Sequence, residues 1–102
     1  MVTKDFLAHL QGIFQRSVEG DGELSATQRL AIYKNGVEPG ELQSFTNKVH
    51  HHAYKITDED MDQLRSSGLS DDEIFEATIC AALGAATKRW EAAEAAMKGL
   101  EN

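Results

Sequence analysis

Three consecutive histidines, His50 to His52, stand shortly before a run of carboxylates at residues 58–60, and both residue types are common metal ligands. Apolar residues recur at helical spacing through this stretch, so the histidines are predicted to lie on a helix. Successive residues of a helix turn by about 100°, so the three imidazoles point in different directions and do not share one ion. Positions four residues away, at 46–48 and 54–56, hold no good ligand. We expect no metal site, with two histidines exposed and one facing the core.

Cys80 is the single cysteine, and Glu76 lies four residues earlier on the same helical face. A reactive thiol needs a base within hydrogen-bond distance and, usually, a positive neighbour that stabilises the thiolate. A carboxylate has the opposite effect, so we expect Cys80 to be a small core residue. A one-cysteine catalytic site of Cys80 and Glu76 is the alternative.

Acid–base chemistry without a thiol would have to use Glu76, His50 to His52 or Tyr54, which are the remaining candidates for catalysis or ligand binding. A small anionic substrate would also require a positively lined pocket. The basic residues that could line it are Lys48, Lys55, Arg65, Lys88 and Arg89.

Composition limits the classes of function. The chain has 102 residues, which is one domain's worth, and we treat 1–102 as a single domain. A formal net charge of -7, with ten scattered basic residues, argues against nucleic-acid binding. The sequence shows neither an export signal nor an apolar run long enough to span a membrane, and its lone cysteine excludes an intrachain disulfide. A cytoplasmic location is therefore expected.

The elements that position the candidate groups are predicted to be helices. Apolar residues recur every three or four positions in each segment, and no segment alternates apolar and polar residues. Capping signals predict the helix starts at Ser25, Pro39, Thr57 and Ser70, and the stops at Gly20, Asn35-Gly36 and Gly68. The fold class is all-α, with about five helices.

The last predicted helix, residues 71–98, would be about 42 Å long, whereas a compact globule of this length is on the order of 33 Å across. It should project, kink or pack on another chain. Its predicted buried face consists of Phe75, Ile79, Ala82, Leu83, Ala86, Trp90, Ala93 and Met97. Gly84 costs roughly 1 kcal/mol relative to alanine unless a neighbouring backbone comes close. We expect a homo-oligomer whose interface includes Leu83, Ala86, Trp90 and Met97.

The segment from Lys55 to Met97 resembles the second half of the alkylhydroperoxidase D-like and carboxymuconolactone decarboxylase-like superfamily. The shared features are a threonine-capped acidic helix start at Thr57, the turn at Gly68-Leu69, the Ser70 to Ile74 cap and the alanine-rich helix that follows. A looser similarity extends to residues 37–98, whereas residues 1–36 match nothing in particular. The resemblance implies an all-helical bundle with a long C-terminal core helix that forms symmetric dimers, trimers or hexamers.

Redox members of that superfamily carry a Glu-x-x-Cys-x-x-Cys-x-x-x-His helix. Here Ala77 and Leu83 stand three residues before and after Cys80, and Gly84 stands four after it. The second cysteine and the histidine are therefore missing, and we expect no dithiol peroxidase activity.

Three functional hypotheses follow. The first is a non-redox, cofactor-free, oligomeric binding or structural module. The second is a cofactor-free enzyme, decarboxylase-like or an isomerase, acting on a small organic acid. The third is a single-cysteine peroxidase or reductase that uses Cys80. The expected partners are further copies of the chain and, in the second case, a small molecule.

Overall fold

The computed structural model describes residues 8–9, 11–36 and 40–100. Residues 11–14 are helical and continue as a π-helical turn, Gln15–Glu19. Four α-helices follow in the described residues: α1 (Ala26–Tyr33), α2 (Gly40–His52), α3 (Asp58–Ser66) and α4 (Asp71–Leu100), with a 3₁₀ turn, Ala53–Lys55, after α2. These residues form no strand, which confirms the all-α prediction with about five helices.

Side-chain caps begin three of these helices where the sequence predicts them. Ser25 Oγ accepts a hydrogen bond from Gln28 N at 3.1 Å, and the corresponding bonds at Thr57 and Ser70 are 3.3 and 3.1 Å long. Each satisfies a backbone N–H that a helix start leaves without a partner. Two of the predicted helix stops are also confirmed, because Asn35 (φ 56°) and Gly68 (φ 102°) adopt the left-handed backbone conformation typical of helix ends. The helix start predicted at Pro39 lies outside the described residues.

The core forms where α4 packs against α1 and α2. Its buried members come from every described element except the 3₁₀ turn and comprise Val18, Leu24, Ile32, Leu42, Phe45, Val49, Leu64, Ile74, Ala77, Cys80 and Ala81. Most of the side chains that α4 contributes to the core are small, so the helices approach one another closely.

Gly84 is the point of closest approach. A Cβ added there would lie 1.9 Å from Tyr33 O at the end of α1 and 2.7 Å from His50 Cε1 on α2. Any side chain at this position would therefore force α4 away from both neighbours. The backbone of Tyr33 is therefore the close neighbour that makes a glycine favourable at this position of the helix.

The predicted buried face of α4 is wrong. The residues of α4 that this chain buries are Ile74, Ala77, Cys80, Ala81, Gly84 and Ala85. Of the predicted face, Phe75 is 65% exposed and Met97 50% exposed, Ala82, Ala86 and Ala93 are exposed, and Ile79, Leu83 and Trp90 are half-buried. Both faces of α4 are apolar, and the close packing at Gly84 selects the one that carries the glycine.

Of the three consequences considered for the length of α4, the structure shows the first, because the helix projects from its own domain. With 30 residues it is about 45 Å long, and the molecule measures 51 × 28 × 21 Å. Residues 95–100 are all exposed, so the end of α4 extends beyond the core. Within the described ranges, no helix combines the length and apolar character needed to cross a membrane.

Candidate functional site

Arg29 organises the region around the predicted Glu76 and Cys80 pair. Its side chain is only 3% exposed, and its guanidinium donates hydrogen bonds to three backbone carbonyls, those of Leu24 (3.1 Å), Ser17 (3.1 Å) and Gly20. Two of these carbonyls belong to the end of the π-helical turn, where backbone oxygens lack partners within the helix. The positive charge of Arg29 therefore stabilises the C-terminal end of the helical segment of residues 11–19, which precedes α1.

Glu76 fastens the same loop from the other side. Its carboxylate accepts hydrogen bonds from the backbone N–H groups of Glu23 (2.7 Å) and Leu24 (3.0 Å). Leu24 is thus fixed twice, through its carbonyl by Arg29 and through its N–H by Glu76. Gly22 lies between the two side chains, because an added Cβ would be 2.7 Å from Glu76 Oε1 and 3.2 Å from Arg29 Cζ. We call Arg29, Glu76 and the loop of residues 20–24 the loop clamp.

Cys80 lies fully buried behind the loop clamp. Its thiol donates a weak hydrogen bond to Ser17 O at 3.6 Å. Burial raises the pKa of the Cys80 thiol to about 11; nearby Arg29 opposes this rise and Glu76 adds to it. A thiol with so high a pKa contains little of the nucleophilic thiolate at neutral pH.

In native protein, Cys80 is expected to be protected from thiol reagents. Its reaction rate should be lower than in urea-unfolded protein by a factor on the order of a hundred or more. The reason is that the sulfur is inaccessible and protonated until the core opens. Absorbance-based thiol titration measures both rates. The matched control is Ala95→Cys in a Cys80→Ser background, which places a thiol on an exposed position of the same helix. Equal reaction rates at Cys80 and at residue 95 in folded protein would contradict the prediction.

Replacing Glu76 by alanine is expected to lower the free energy of unfolding by about 1–3 kcal/mol, because two loop N–H groups lose their acceptor. Urea denaturation measures the loss. Glu76→Gln keeps one acceptor oxygen and should lose less, and Glu91→Ala, an exposed glutamate of the same helix, should lose nothing measurable. Equal stability of the alanine variant and wild type would show that the loop clamp does not depend on Glu76.

The three histidines are separated as predicted. His50 is 3% exposed, whereas His51 and His52 are exposed. His50 Nε2–H donates to Ile32 O at 2.9 Å, and the backbone carbonyl of His50 accepts from Arg89 Nη2 at 3.1 Å. Tyr54 is 81% exposed, with its ring 6.0 Å from that of His52. The four candidates therefore do not form one binding site.

His50 should make the stability of the fold pH-dependent. Its pKa is lowered from 6.5, mainly because burial disfavours the charged ring, and positive Lys88, His51 and Arg89 add to the effect against the Ile32 hydrogen bond. The unfolded chain then binds this proton more readily, so the free energy of unfolding decreases as pH falls below 6.5. Urea titrations across this range, with His50→Gln as the control, test the point. An unchanged pH dependence in His50→Gln would contradict it.

Three of the five basic residues that could line an anion pocket have partners at separate places. Lys48 pairs with Asp60 at 2.8 Å, Arg65 pairs with Asp62 at 3.1 Å and Asp71 at 2.8 Å, and Arg89 binds the backbone as described. A cleft of about 330 Å³ does lie beside Glu76, lined by Arg16, Ser17, Asp21, Arg29, Phe75, Glu76 and Ile79. Two basic and two acidic residues line this cleft, so their formal charges cancel and do not favour the binding of a small organic acid.

Metal ligands are not grouped in the part of the chain that the structure describes. No three His, Cys, Asp or Glu side chains there lie close enough to hold one ion. The acidic start of α3 instead caps its own helix, since Asp60 Oδ2 accepts from Thr57 N at 2.9 Å.

Arg29 is the residue of this region that the sequence did not predict. Its signal was available, because Arg29 precedes Ile32 by three residues and so shares the inward face of α1. Gly22, interpreted only as part of a helix stop, also makes room for the side chains of Glu76 and Arg29.

Comparison of the chain with models of protein families, with curated proteins and with solved structures gave no match. The resemblance of residues 37–98 to the alkylhydroperoxidase D-like superfamily is a prediction that rests on the sequence alone.

Proposed function

We propose that the protein is a non-redox, self-associating helical module, similar to the alkylhydroperoxidase D-like superfamily, whose long helix α4 binds a second copy of the chain. The observation that carries this proposal is that α4 has two apolar faces. One is buried in the chain's own core, and the other is uncovered for most of its length.

The uncovered face, which we call the α4 stripe, consists of Phe75, Ile79, Ala82, Ala86, Trp90, Ala93 and Met97. It lies opposite the buried face, since Ala77 is nine residues, or about two and a half turns, from Ala86. Exposed apolar surface of this continuity is typical of an interaction site. Phe75 and Met97, at its two ends, are the kind of side chain enriched in protein interfaces.

The chemistry around Cys80 and Glu76 supports a non-redox role. The thiol is buried and has a high pKa, and the Glu76 carboxylate is already occupied by two backbone N–H groups. Neither group is free to perform the proton transfer or the nucleophilic attack that the two enzyme hypotheses require. The loop clamp is a structural use of residues that resemble catalytic ones.

Trp90, the only tryptophan, lies at the edge of the α4 stripe and reports on the proposed association. Diluting the protein from high micromolar to nanomolar concentration should shift Trp90 emission to the red as a second copy dissociates and water reaches the indole. The transition should coincide with a fall in mass measured by light scattering. A constant emission spectrum together with the mass of one chain throughout would contradict the proposal.

A further inference from the structure

The α4 stripe is symmetric about Ala86. Ala82 and Trp90 lie four residues before and after it, Ile79 and Ala93 lie seven residues away, and Phe75 and Met97 lie eleven residues away. Eleven residues are close to three whole turns of an α-helix, so the stripe runs almost parallel to the helix axis. A straight, symmetric stripe can match a second copy of itself over its whole length when the two helices are antiparallel.

We propose that two copies of the chain pack through the α4 stripe in an antiparallel arrangement, related by a two-fold axis that passes beside Ala86. The inference rests on the proposed self-association and adds its direction and register. A two-fold interface uses the same surface on both copies, so each residue of the stripe meets the residue at equal distance on the other side of Ala86.

The sizes of the residues that meet are complementary. Trp90 of each copy meets Ala82 of the other, and Ile79 meets Ala93, so large side chains fill the space above small ones. At the centre Ala86 meets its own copy, which lets the two backbones approach closely. A parallel arrangement would instead place Trp90 against Trp90 and leave the small residues facing one another.

The ends of the stripe are matched as well. Phe75 of one copy meets Met97 of the other, and thioether sulfur makes favourable contacts with aromatic rings. Phe75 and Ile79 also line the cleft of about 330 Å³ beside the loop clamp. The second copy's Met97 would cover the outer side of this cleft, where the isolated chain leaves Phe75 65% exposed.

Charge favours the same direction. No charged residue belongs to the stripe itself, and the charge that borders it most closely, exposed Arg89 three residues after Ala86, already donates a hydrogen bond to His50 O. Asp71 and Asp72, in the first turn of α4, lie at opposite ends of an antiparallel pair, whereas a parallel pair would bring all four carboxylates together. Antiparallel helices also place the positive end of one dipole beside the negative end of the other.

Disulfide trapping in full-length protein tests the arrangement. Single cysteines are introduced at Phe75, Ala86 and Met97 in a Cys80→Ser background, and the protein is oxidised at a concentration where light scattering shows association. Bond formation needs Cα atoms within about 7 Å of each other. Ala86→Cys is expected to cross-link to itself in most molecules. Phe75→Cys and Met97→Cys are each expected to stay single alone and to cross-link when mixed. Ala95→Cys, on the opposite face, is the control for random collision.

Two results would overturn the inference while leaving self-association intact. One is self-cross-linking of both Phe75→Cys and Met97→Cys, which indicates a parallel pair. The other is an associated protein in which Ala86→Cys gives no more cross-link than Ala95→Cys. A protein that has the mass of one chain and cross-links at no position would overturn the proposed function together with the inference.

Discussion

Ala93→Glu is expected to convert the associated protein to single chains, while Ala95→Glu leaves its mass unchanged. Both alanines are exposed in the isolated chain and lie two residues apart on the projecting part of α4. Ala93 belongs to the α4 stripe, whereas Ala95 is nine residues from Ala86 and faces the opposite side. An unpaired charge buried in an interface costs several kcal/mol, which weakens association at least on the order of a hundredfold.

Light scattering of the two variants beside wild type measures the effect, and circular dichroism should show the same helix content in all three. Trp90→Glu should also reduce the mass but is a less specific test. Trp90 is half-buried in its own chain and lines a cleft of about 370 Å³ with Phe14, Tyr33 and Thr87. Equal masses for Ala93→Glu and Ala95→Glu would exclude the α4 stripe as the interface.

Among the glycines whose surroundings the structure describes, Gly84 is expected to be the one whose replacement by alanine is most destabilising. The new Cβ would lie 1.9 Å from Tyr33 O, a backbone atom that moves only if α1 and α4 separate. His50 Cε1, at 2.7 Å, blocks the other direction. Overpacking typically costs 1–3 kcal/mol, and a clash with backbone belongs at or above about 3 kcal/mol. Since domains of this size are stable by roughly 5–15 kcal/mol, the loss should be plain in urea denaturation.

Gly99→Ala is the matched control, because a Cβ at Gly99 meets nothing within 4 Å and the residue is also in α4. That variant should be unchanged or more stable by up to about 1 kcal/mol, as alanine is the better helix former. A Gly84→Ala protein as stable as Gly99→Ala would show that α1 and α4 do not approach as closely as the structure places them.

The sequence predicts the local features of the fold well. Helix starts at Ser25, Thr57 and Ser70 follow from hydrogen bonds between residues three apart, so no knowledge of tertiary contacts is needed. That one histidine of residues 50–52 faces the core and two are exposed follows from helical geometry and one apolar face, and the structure identifies the buried one as His50.

Features that depend on distant residues were not predictable in the same way. The choice of the covered face of α4 depends on the backbone of Tyr33, which no periodicity within α4 encodes. Glu76 resembles a catalytic acid when it is considered beside Cys80 alone. Its structural role appears only when the loop of residues 20–24 brings two N–H groups to it. In each case the deciding contact joins segments about fifty residues apart.

Sedimentation equilibrium of the full-length wild-type chain across the micromolar range tests the central claim most directly. If the α4 stripe binds a second copy, the data should fit a reversible equilibrium between one chain and two, with the dimer dominant at the upper concentrations. Burial of the stripe also predicts a negative heat-capacity change of association, so a van't Hoff plot of the fitted dissociation constant should be curved. A single species with the mass of one chain at every concentration would contradict the claim.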